Sequence, residues 1–261
     1  MPIMNEYSAG APCWFELACT DQATAKKFYS EIFGWTVNDF PLGPNEFYTM
    51  FQFNGRDVAA AYSLPEQARA KGMSAHWNIY FNTPNVDESA AKAEALGGKL
   101  MQPPFDVMDV GRMVNVVDPG GAGFALWEKR RHFGAGLFNE LNAVCWCELA
   151  TTDTAQARDF YVGLFGWDVK GAASMASYLE YSAGGSPCGG LLQMDAGWGG
   201  IPSHWSLYVN VADCDAVAAK VKALGGEVFH GPFDAPGVGR IAMLGDPQGT
   251  RFQIITLARQ L

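Results

Sequence analysis

The stretch CWFEL at residues 13–17 is followed by Asp21, by FY at residues 28–29 and by FGW at residues 33–35. A second copy reads CWCEL at residues 145–149, with Asp153, FY at residues 160–161 and FGW at residues 165–167. Every landmark is displaced by the same 132 positions, for example from Trp14 to Trp146. A shared frame of this length predicts a tandem repeat of one domain.

Each copy begins with a predicted strand and a predicted helix. Alternation places Trp14 and Glu16 on one face of the strand. Asp21 is a typical helix N-cap, apolar residues follow at helical spacing, and Gly34 is a typical C-cap. Three strands are predicted next, and the same β-α-β-β-β order recurs between residues 75 and 127. The predicted fold class is therefore α+β, with two such units in each domain.

Length and composition limit the possible classes of protein. The chain has 261 residues and a formal net charge of −9 at pH 7. The repeat predicts domains at residues 8–128 and 143–261, joined by a linker at residues 129–142. The absence of a basic cluster argues against nucleic acid as a partner, and the apolar runs are too short to span a membrane. Without a secretory signal pattern or metal-type cysteine spacing, we expect a cytoplasmic monomer or homodimer.

The repeated unit resembles the vicinal oxygen chelate superfamily. The resemblance rests on the Asp-then-Phe-Tyr helix, the Phe-Gly-Trp stop and the Asp-Pro-x-Gly turns at residues 118–121 and 246–249. The superfamily includes glyoxalase I, bleomycin-resistance proteins and extradiol dioxygenases, and the tandem form is similar to a two-domain glyoxalase-like or hydroxylase-like subgroup. The resemblance implies that the paired units of each domain curl their sheet into a cup that receives a small molecule.

Metal-dependent members of that superfamily place ligands on the first and last strands of each unit. The matching positions here hold Trp14, Trp146, Asn78, Ser206, Ala125 and Gln253. Tryptophan cannot ligate, whereas a divalent ion needs several convergent deprotonated donors. We therefore expect no resident metal and no other cofactor. The alternative is a metal-dependent lyase or dioxygenase with atypical ligands.

Glu16 and Glu148 are the candidate catalytic residues. Burial in an apolar cup would raise the pKa of each carboxyl, which suits a general base near neutral pH. The alternative is structural, with each glutamate held by hydrogen bonds of its own domain and with Arg112 or Arg240 as its partner. Presence in both repeats favours the structural alternative, because a catalytic site needs only one copy.

Aromatic and polar side chains are predicted to line the cups and to bind the ligand. They are Trp14, Tyr48, His76, Asn78, Tyr80 and Trp127 in the first cup, and Trp146, Tyr178, His204, Tyr208 and Gln253 in the second. Such walls suit a small planar or carbonyl-bearing molecule, which the protein either transforms or only sequesters. Ordinary core packing in filled cups is the alternative. His132 and His230 are predicted to be loop residues without a role.

Overall fold

The computed structural model describes residues 4–44, 46–172, 175 and 177–259. The first half forms strands β1 (Pro12–Cys19), β2 (Thr36–Gly43), β3 (Glu46–Phe53), β4 (Arg56–Ser63), β5 (His76–Asn82), β6 (Lys99–Leu100), β7 (Phe105–Val107), β8 (Gly111–Val117) and β9 (Gly123–Lys129). Its helices are α1 (Gln22–Phe33), α2 (Glu66–Ala70) and α3 (Val86–Ala95). The short strand β7 and the short helix α2 were not predicted from the sequence.

The second half repeats this order. Its strands are β10 (Val144–Thr151), β11 (Asp168–Gly171), β12 (Tyr178–Ala183), β13 (Ser186–Gln193), β14 (His204–Asn210), β15 (Glu227–Ala235), β16 (Gly239–Gly245) and β17 (Arg251–Leu257). Its helices are α4 (Thr154–Phe165) and α5 (Cys214–Ala223), with a 3₁₀ turn at Ala196–Trp198. No helix in the described residues combines the length and the apolar character that a membrane span requires.

The predicted capping residues position the first helix of each repeat. The side chain of Asp21 accepts a hydrogen bond from the backbone N–H of Thr24, and Gly34 ends α1 in the left-handed conformation with φ of 69°. Asp153 and Gly166 do the same for α4. Glycine adopts this conformation without the strain that a side chain would cause. The capping prediction is confirmed in both repeats.

Each repeat forms one mixed sheet. The order is β2-β3-β4-β1-β5-β9-β8-β6 in the first sheet, where β7 also pairs with β8, and β11-β12-β13-β10-β14-β17-β16-β15 in the second. The two β-α-β-β-β units of a domain join where β1 runs antiparallel to β5, and β10 to β14. The α+β fold with two tandem domains is confirmed. We call the face that carries Trp14 and Glu16 the first cup and the face that carries Trp146 and Glu148 the second cup.

The opposite faces of the two sheets pack against the helices and against each other. Phe81 of the first sheet lies 5.1 Å from Trp205 of the second, measured between ring centroids. The Tyr29 hydroxyl on α1 donates to Asp246 Oδ2 of the other domain at 3.2 Å. In the same way, Tyr161 donates to Asp118 Oδ2 at 2.9 Å. These buried contacts fix the two domains to each other and leave the two cups on the outer faces.

Candidate functional site

The first cup holds a chain of hydrogen bonds that ends on Glu16. The Trp14 indole N–H donates to the Tyr48 hydroxyl at 3.0 Å, and Tyr48 donates to Glu16 Oε1 at 2.7 Å. The Tyr80 hydroxyl donates to Glu16 Oε2 at 2.6 Å. These residues meet because Trp14 is paired with Tyr80 across β1 and β5, and because Tyr48 reaches the same face from β3. Each carboxylate oxygen of Glu16 therefore accepts a hydrogen bond from a tyrosine hydroxyl.

The second cup holds the same residues in a looser arrangement. The Trp146 indole N–H donates to the Tyr178 hydroxyl at 2.8 Å, and the Tyr208 hydroxyl donates to Glu148 Oε1 at 3.0 Å. The Tyr178 hydroxyl stabilises the Glu148 carboxylate as well. Tyr178 thus donates to Glu148, as Tyr48 donates to Glu16 in the first cup. Both tyrosines of the second cup therefore serve the same carboxylate.

Burial changes the acidity of these groups in a consistent direction. Desolvation raises the pKa of Glu16 and of Glu148 above the usual range, and the tyrosine hydrogen bonds offset part of that rise. Desolvation and the adjacent carboxylate also raise the pKa of Tyr178 and Tyr208 well above the ordinary value. The phenols therefore remain protonated as donors, and each carboxylate is a stronger base than an exposed glutamate.

The linker covers the tryptophan of the first cup. Beyond β9 the chain returns over β1, where Ala135 N–H donates to the Cys13 carbonyl at 2.7 Å and Gly136 N–H donates to the Asp57 carbonyl at 2.7 Å. We call residues 130–136 the strap. His132 of the strap packs edge to face on Trp14, with ring centroids 4.5 Å apart. Its Nε2 is buried without a hydrogen-bond partner. The prediction that His132 is a loop residue without a role missed this packing.

Trp127 also fills the first cup. Its indole N–H donates to the His132 carbonyl at 2.9 Å, and its ring lies so close to Gly111 that an added Cβ would stand 2.2 Å from Cζ2. At the matching strand position the second cup has Ile255, which is smaller than tryptophan. Trp14 is only 3% exposed, whereas Trp146 is partly exposed. The second cup therefore offers an accessible tryptophan where the first cup has a covered one.

The polar residues of the two cups also differ. In the first cup, Asn78 Nδ2 donates to Asn115 Oδ1 at 3.2 Å, so the two amides are partners. In the second cup, Gln253 is paired in register with Tyr208 on one side and with Met243 on the other. Its Oε1 is buried without a hydrogen-bond partner, and the residue is 8% exposed. A polar group in this position normally has a partner.

The two predicted histidines lie on the cup faces, at the start of the fifth strand of each domain. His76 is paired with Ala18 and His204 with Ala150. Each histidine therefore lies opposite the residue that is two positions after the glutamate on the neighbouring strand. His76 Nδ1 lies 2.9 Å from the Ser74 carbonyl, and His204 Nδ1 lies 2.8 Å from the Pro202 carbonyl. These contacts orient both rings at the rim of the cups.

The predicted arginine partners of the glutamates are wrong. Arg112 binds Asp87 and Asp106, and Arg240 binds Asp215 and Asp234. The arginines cannot reach the glutamates because neighbouring residues of a strand point to opposite faces of the sheet. Met113 lies in the first cup, 3.9 Å from the Tyr80 hydroxyl, so Arg112 points to the helix side.

The side chains of the cups do not suit a divalent metal. Both tryptophans use their only polar atom as a donor to tyrosine, and a metal needs lone pairs. The first cup offers the carboxylate of Glu16, and the second offers Glu148 with the exposed Glu180 across Gly190 on the same face. The described residues contain no group of three His, Cys, Asp or Glu side chains that could hold an ion. The donor set therefore does not fit the metal that the fold suggests.

Comparison with known proteins identifies relatives over the whole chain. The model of the Glyoxalase/Bleomycin resistance protein/Dioxygenase superfamily matches residues 13–126 and 143–254. A Mycobacterium bovis protein named "Putative glyoxylase CFP32" is 42% identical over 100% of both chains. The "Anthracycline biosynthesis protein DnrV" of Streptomyces peucetius is 35% identical over 97% of this chain and 96% of its own.

Solved structures share the fold. Homoprotocatechuate 2,3-dioxygenase from Arthrobacter globiformis superposes with a TM-score of 0.64 at 18% identity, over 98% of this chain and 82% of the dioxygenase. At this identity the likeness concerns the fold alone. The repeated units, the two sheets and the match in both halves lead to one conclusion: the chain is a glyoxalase-like protein that belongs to the Glyoxalase/Bleomycin resistance protein/Dioxygenase superfamily.

Proposed function

We propose that the second cup binds a small planar, carbonyl-bearing molecule and acts on it by proton transfer without a metal. The observation that carries the proposal is the arrangement of Trp146, Tyr178 and Glu148. The Trp146 ring is partly exposed, its indole N–H holds the tyrosine oxygen, and the tyrosine hydroxyl donates to a buried carboxylate beside it. A general acid and a general base are thus held on one surface.

The roles follow from the chemistry of the three groups. The partly exposed Trp146 ring stacks on the flat face of the ligand. Tyr178, which donates to Glu148 in the free protein, turns its hydroxyl proton to the ligand carbonyl, where negative charge develops when a neighbouring proton is removed. Glu148, whose pKa is raised by burial, accepts that proton. The anthracycline biosynthesis relative supports a flat carbonyl compound as the ligand class, and the glyoxylase relatives support a small carbonyl compound.

In the first cup, Trp14 is covered by the strap, whereas Trp146 of the second cup is partly exposed. We therefore assign Trp14, Tyr48, Asn78, Tyr80 and Trp127 to the support of a filled cup, in which Glu16 is held structurally. His76 and His204 are proposed as rim residues, and only His204 would meet the ligand.

Matched variants in the two cups test the proposal. Planar quinones and hemithioacetals of small oxoaldehydes are the probes, with tryptophan quenching for binding and absorbance for turnover. Glu148→Gln is expected to retain binding and to lose turnover by about 100-fold or more, the usual contribution of a general base. Tyr178→Phe is expected to weaken both, whereas Glu16→Gln and Tyr48→Phe leave both unchanged.

Three outcomes separate the alternatives. Binding without turnover in the unmodified protein would support a sequestration protein that uses the same cup. Equal losses in the two matched pairs would show that the second cup has no special role. Activity that disappears with a chelator and returns with one divalent ion would overturn the metal-free mechanism.

A further inference from the structure

The buried amide oxygen of Gln253 points to a property of the ligand that the glutamate and the tyrosines do not determine. Gln253 lies on β17, beside Tyr208 on β14 in the parallel register. Because paired residues share a sheet face, Gln253 stands in the same row as Trp146 and Tyr208 on the floor of the second cup. Its Oε1 is buried and has no hydrogen-bond partner.

Leaving such an acceptor unpaired is costly. A buried polar group without a partner has lost its hydrogen bond to water and has gained none in the protein. The first cup avoids this cost, since its matching position is Ala125 and its amides Asn78 and Asn115 bind each other. The second cup has Met243 in the place of Asn115, so it lacks this pair of amides and the oxygen of Gln253 stays unpaired. A feature that is absent from the filled cup and present in the accessible one points to a ligand.

We propose that Gln253 is a specificity-determining residue whose Oε1 accepts a hydrogen bond from a hydroxyl group of the ligand. The inference rests on the proposed function, because it places the ligand in the second cup. Tyr178 is a donor and recognises a carbonyl, whereas Gln253 is an acceptor and recognises a hydroxyl. The preferred ligand class is therefore a planar molecule that carries both groups, such as a phenolic quinone or a hydroxylated polycyclic ketone.

The position of Gln253 also explains why it would select rather than catalyse. Tyr208, its neighbour in the row, donates to Glu148, so Gln253 is one strand removed from the base. A ligand that stacks on Trp146 and spans the row reaches Gln253 with the end opposite its reacting carbonyl. A ligand without the hydroxyl would leave the amide oxygen unpaired on binding, which is the physical origin of discrimination in buried polar sites.

A pair of probes that differ in one methyl group tests the inference. The probes are a phenolic naphthoquinone and its methyl ether, titrated against the full chain by tryptophan fluorescence. The unmodified protein is expected to prefer the phenol by about 10- to 100-fold, the range expected for one buried hydrogen bond. Gln253→Leu is expected to abolish the preference, and Gln253→Glu, which retains an acceptor oxygen, is expected to preserve it. Met243→Leu is the control in the same row and keeps the preference.

Stability and binding results distinguish the possible failures. Because Gln253→Leu removes an unpaired buried oxygen, it is expected to leave the urea midpoint unchanged or higher; a lower midpoint would mean that Gln253 is a structural residue. Equal affinity of the unmodified protein for the two probes would overturn the hydroxyl inference while leaving the proposed function intact. If neither probe bound, nor any other planar carbonyl compound, both the proposed function and this inference would fail.

Discussion

His132 and Trp14 meet edge to face in the first cup, with their ring centroids 4.5 Å apart. The strap thus places an aromatic ring of the protein where the second cup leaves its own tryptophan partly exposed. Since a planar ligand would have to displace this ring, the contact supports the proposal that only the second of the two similar cups binds a ligand. The first cup has an internal occupant, held in place by the backbone hydrogen bonds of the strap.

Removal of the imidazole is expected to open the first cup. In His132→Gly the Trp14 ring loses its edge-to-face neighbour, whereas the strap keeps its backbone hydrogen bonds to Cys13 and Asp57. We expect each chain of the variant to bind about two equivalents of a planar quinone instead of about one. The reason is that a cavity opened among apolar side chains stays free of water and accepts a flat apolar molecule. Isothermal titration measures the number directly.

The control for that experiment lies on the same strap. Arg131→Ala removes an exposed ion pair with Asp109 and leaves the cup filled, so its stoichiometry is expected to stay near that of the unmodified protein. If His132→Gly folds normally and still binds a single equivalent, the imidazole packs in the cup without excluding a ligand.

The same histidine is expected to make stability depend on pH. Burial lowers the pKa of His132, although Asp57 opposes the change. The folded state therefore binds this proton less readily than the unfolded chain, whose histidine pKa is about 6.5. Stability is retained above that pH and falls as the pH decreases below it. Unfolding in urea between about pH 7.5 and about pH 5 should show a smaller loss for His132→Phe, whose side chain does not titrate. Equal losses in both proteins would contradict the assignment.

The sequence predicted the repeat, the caps, the sheet and the face shared by Trp14 and Glu16, because these follow from short periods. It could not predict which groups bind the glutamates, since Tyr48 and Tyr80 reach Glu16 from two other strands. The role of His132 depends on the path of the strap back over β1. Backbone hydrogen bonds to residues distant in the sequence fix that path. Because such bonds do not depend on side-chain type, the sequence contains no pattern that predicts them.

At high pH, the ionised side chains of Glu16 and Glu148 are expected either to leave the free energy of unfolding unchanged or to lower it. Desolvation raises the pKa of Glu148 in the folded state, so the folded state retains its proton better than the unfolded chain. Stability from this group is thus present below the unfolded value of about 4.3 and declines as the pH increases through the folded value. Glu148→Gln should match or exceed the unmodified protein in urea unfolding at about pH 8, and the difference should shrink at acidic pH.

Glu16→Gln provides the comparison, because the pKa of Glu16 is raised by the same cause. A large loss of stability in Glu148→Gln at high pH would show that its ionised carboxylate supports the fold. In that case the structural interpretation of Glu148 would replace the catalytic one, whereas the same loss in Glu16→Gln alone would agree with the structural role proposed for Glu16.

Gly190 is expected to be required for the position of Tyr178. A Cβ at residue 190 would stand 2.1 Å from the Tyr178 hydroxyl oxygen, so the tyrosine must move in Gly190→Ala. The displacement breaks the bond from Trp146, and ligand affinity is expected to fall about tenfold, the equivalent of one ordinary hydrogen bond. Fluorescence titration with a planar quinone measures the change. Gly171→Ala, where an added Cβ meets no atom within 4 Å, is the control and should bind as before.

The contact between Tyr29 and Asp246 is expected to stabilise the pairing of the two domains. Tyr29 donates to Asp246 and accepts from the Trp77 indole at 3.2 Å, so Tyr29→Phe leaves two buried polar groups with one partner fewer. We expect a loss of about 1–3 kcal/mol in the free energy of unfolding. The matching change Tyr161→Phe should cost a similar amount, because Tyr161 binds Asp118 and Trp205 in the same way.

Urea unfolding followed by tryptophan fluorescence measures both changes, and Tyr62→Phe is the control. Tyr62 is partly exposed, and its hydroxyl makes no hydrogen bond within the described residues, so its removal should leave the midpoint unchanged. The double variant Tyr29→Phe/Tyr161→Phe loses both interdomain hydrogen bonds. If these bonds hold the domains together, the double variant is expected to unfold in two steps. A single cooperative transition with no shift of the midpoint would mean that apolar packing, as between Phe81 and Trp205, maintains the domain pair alone.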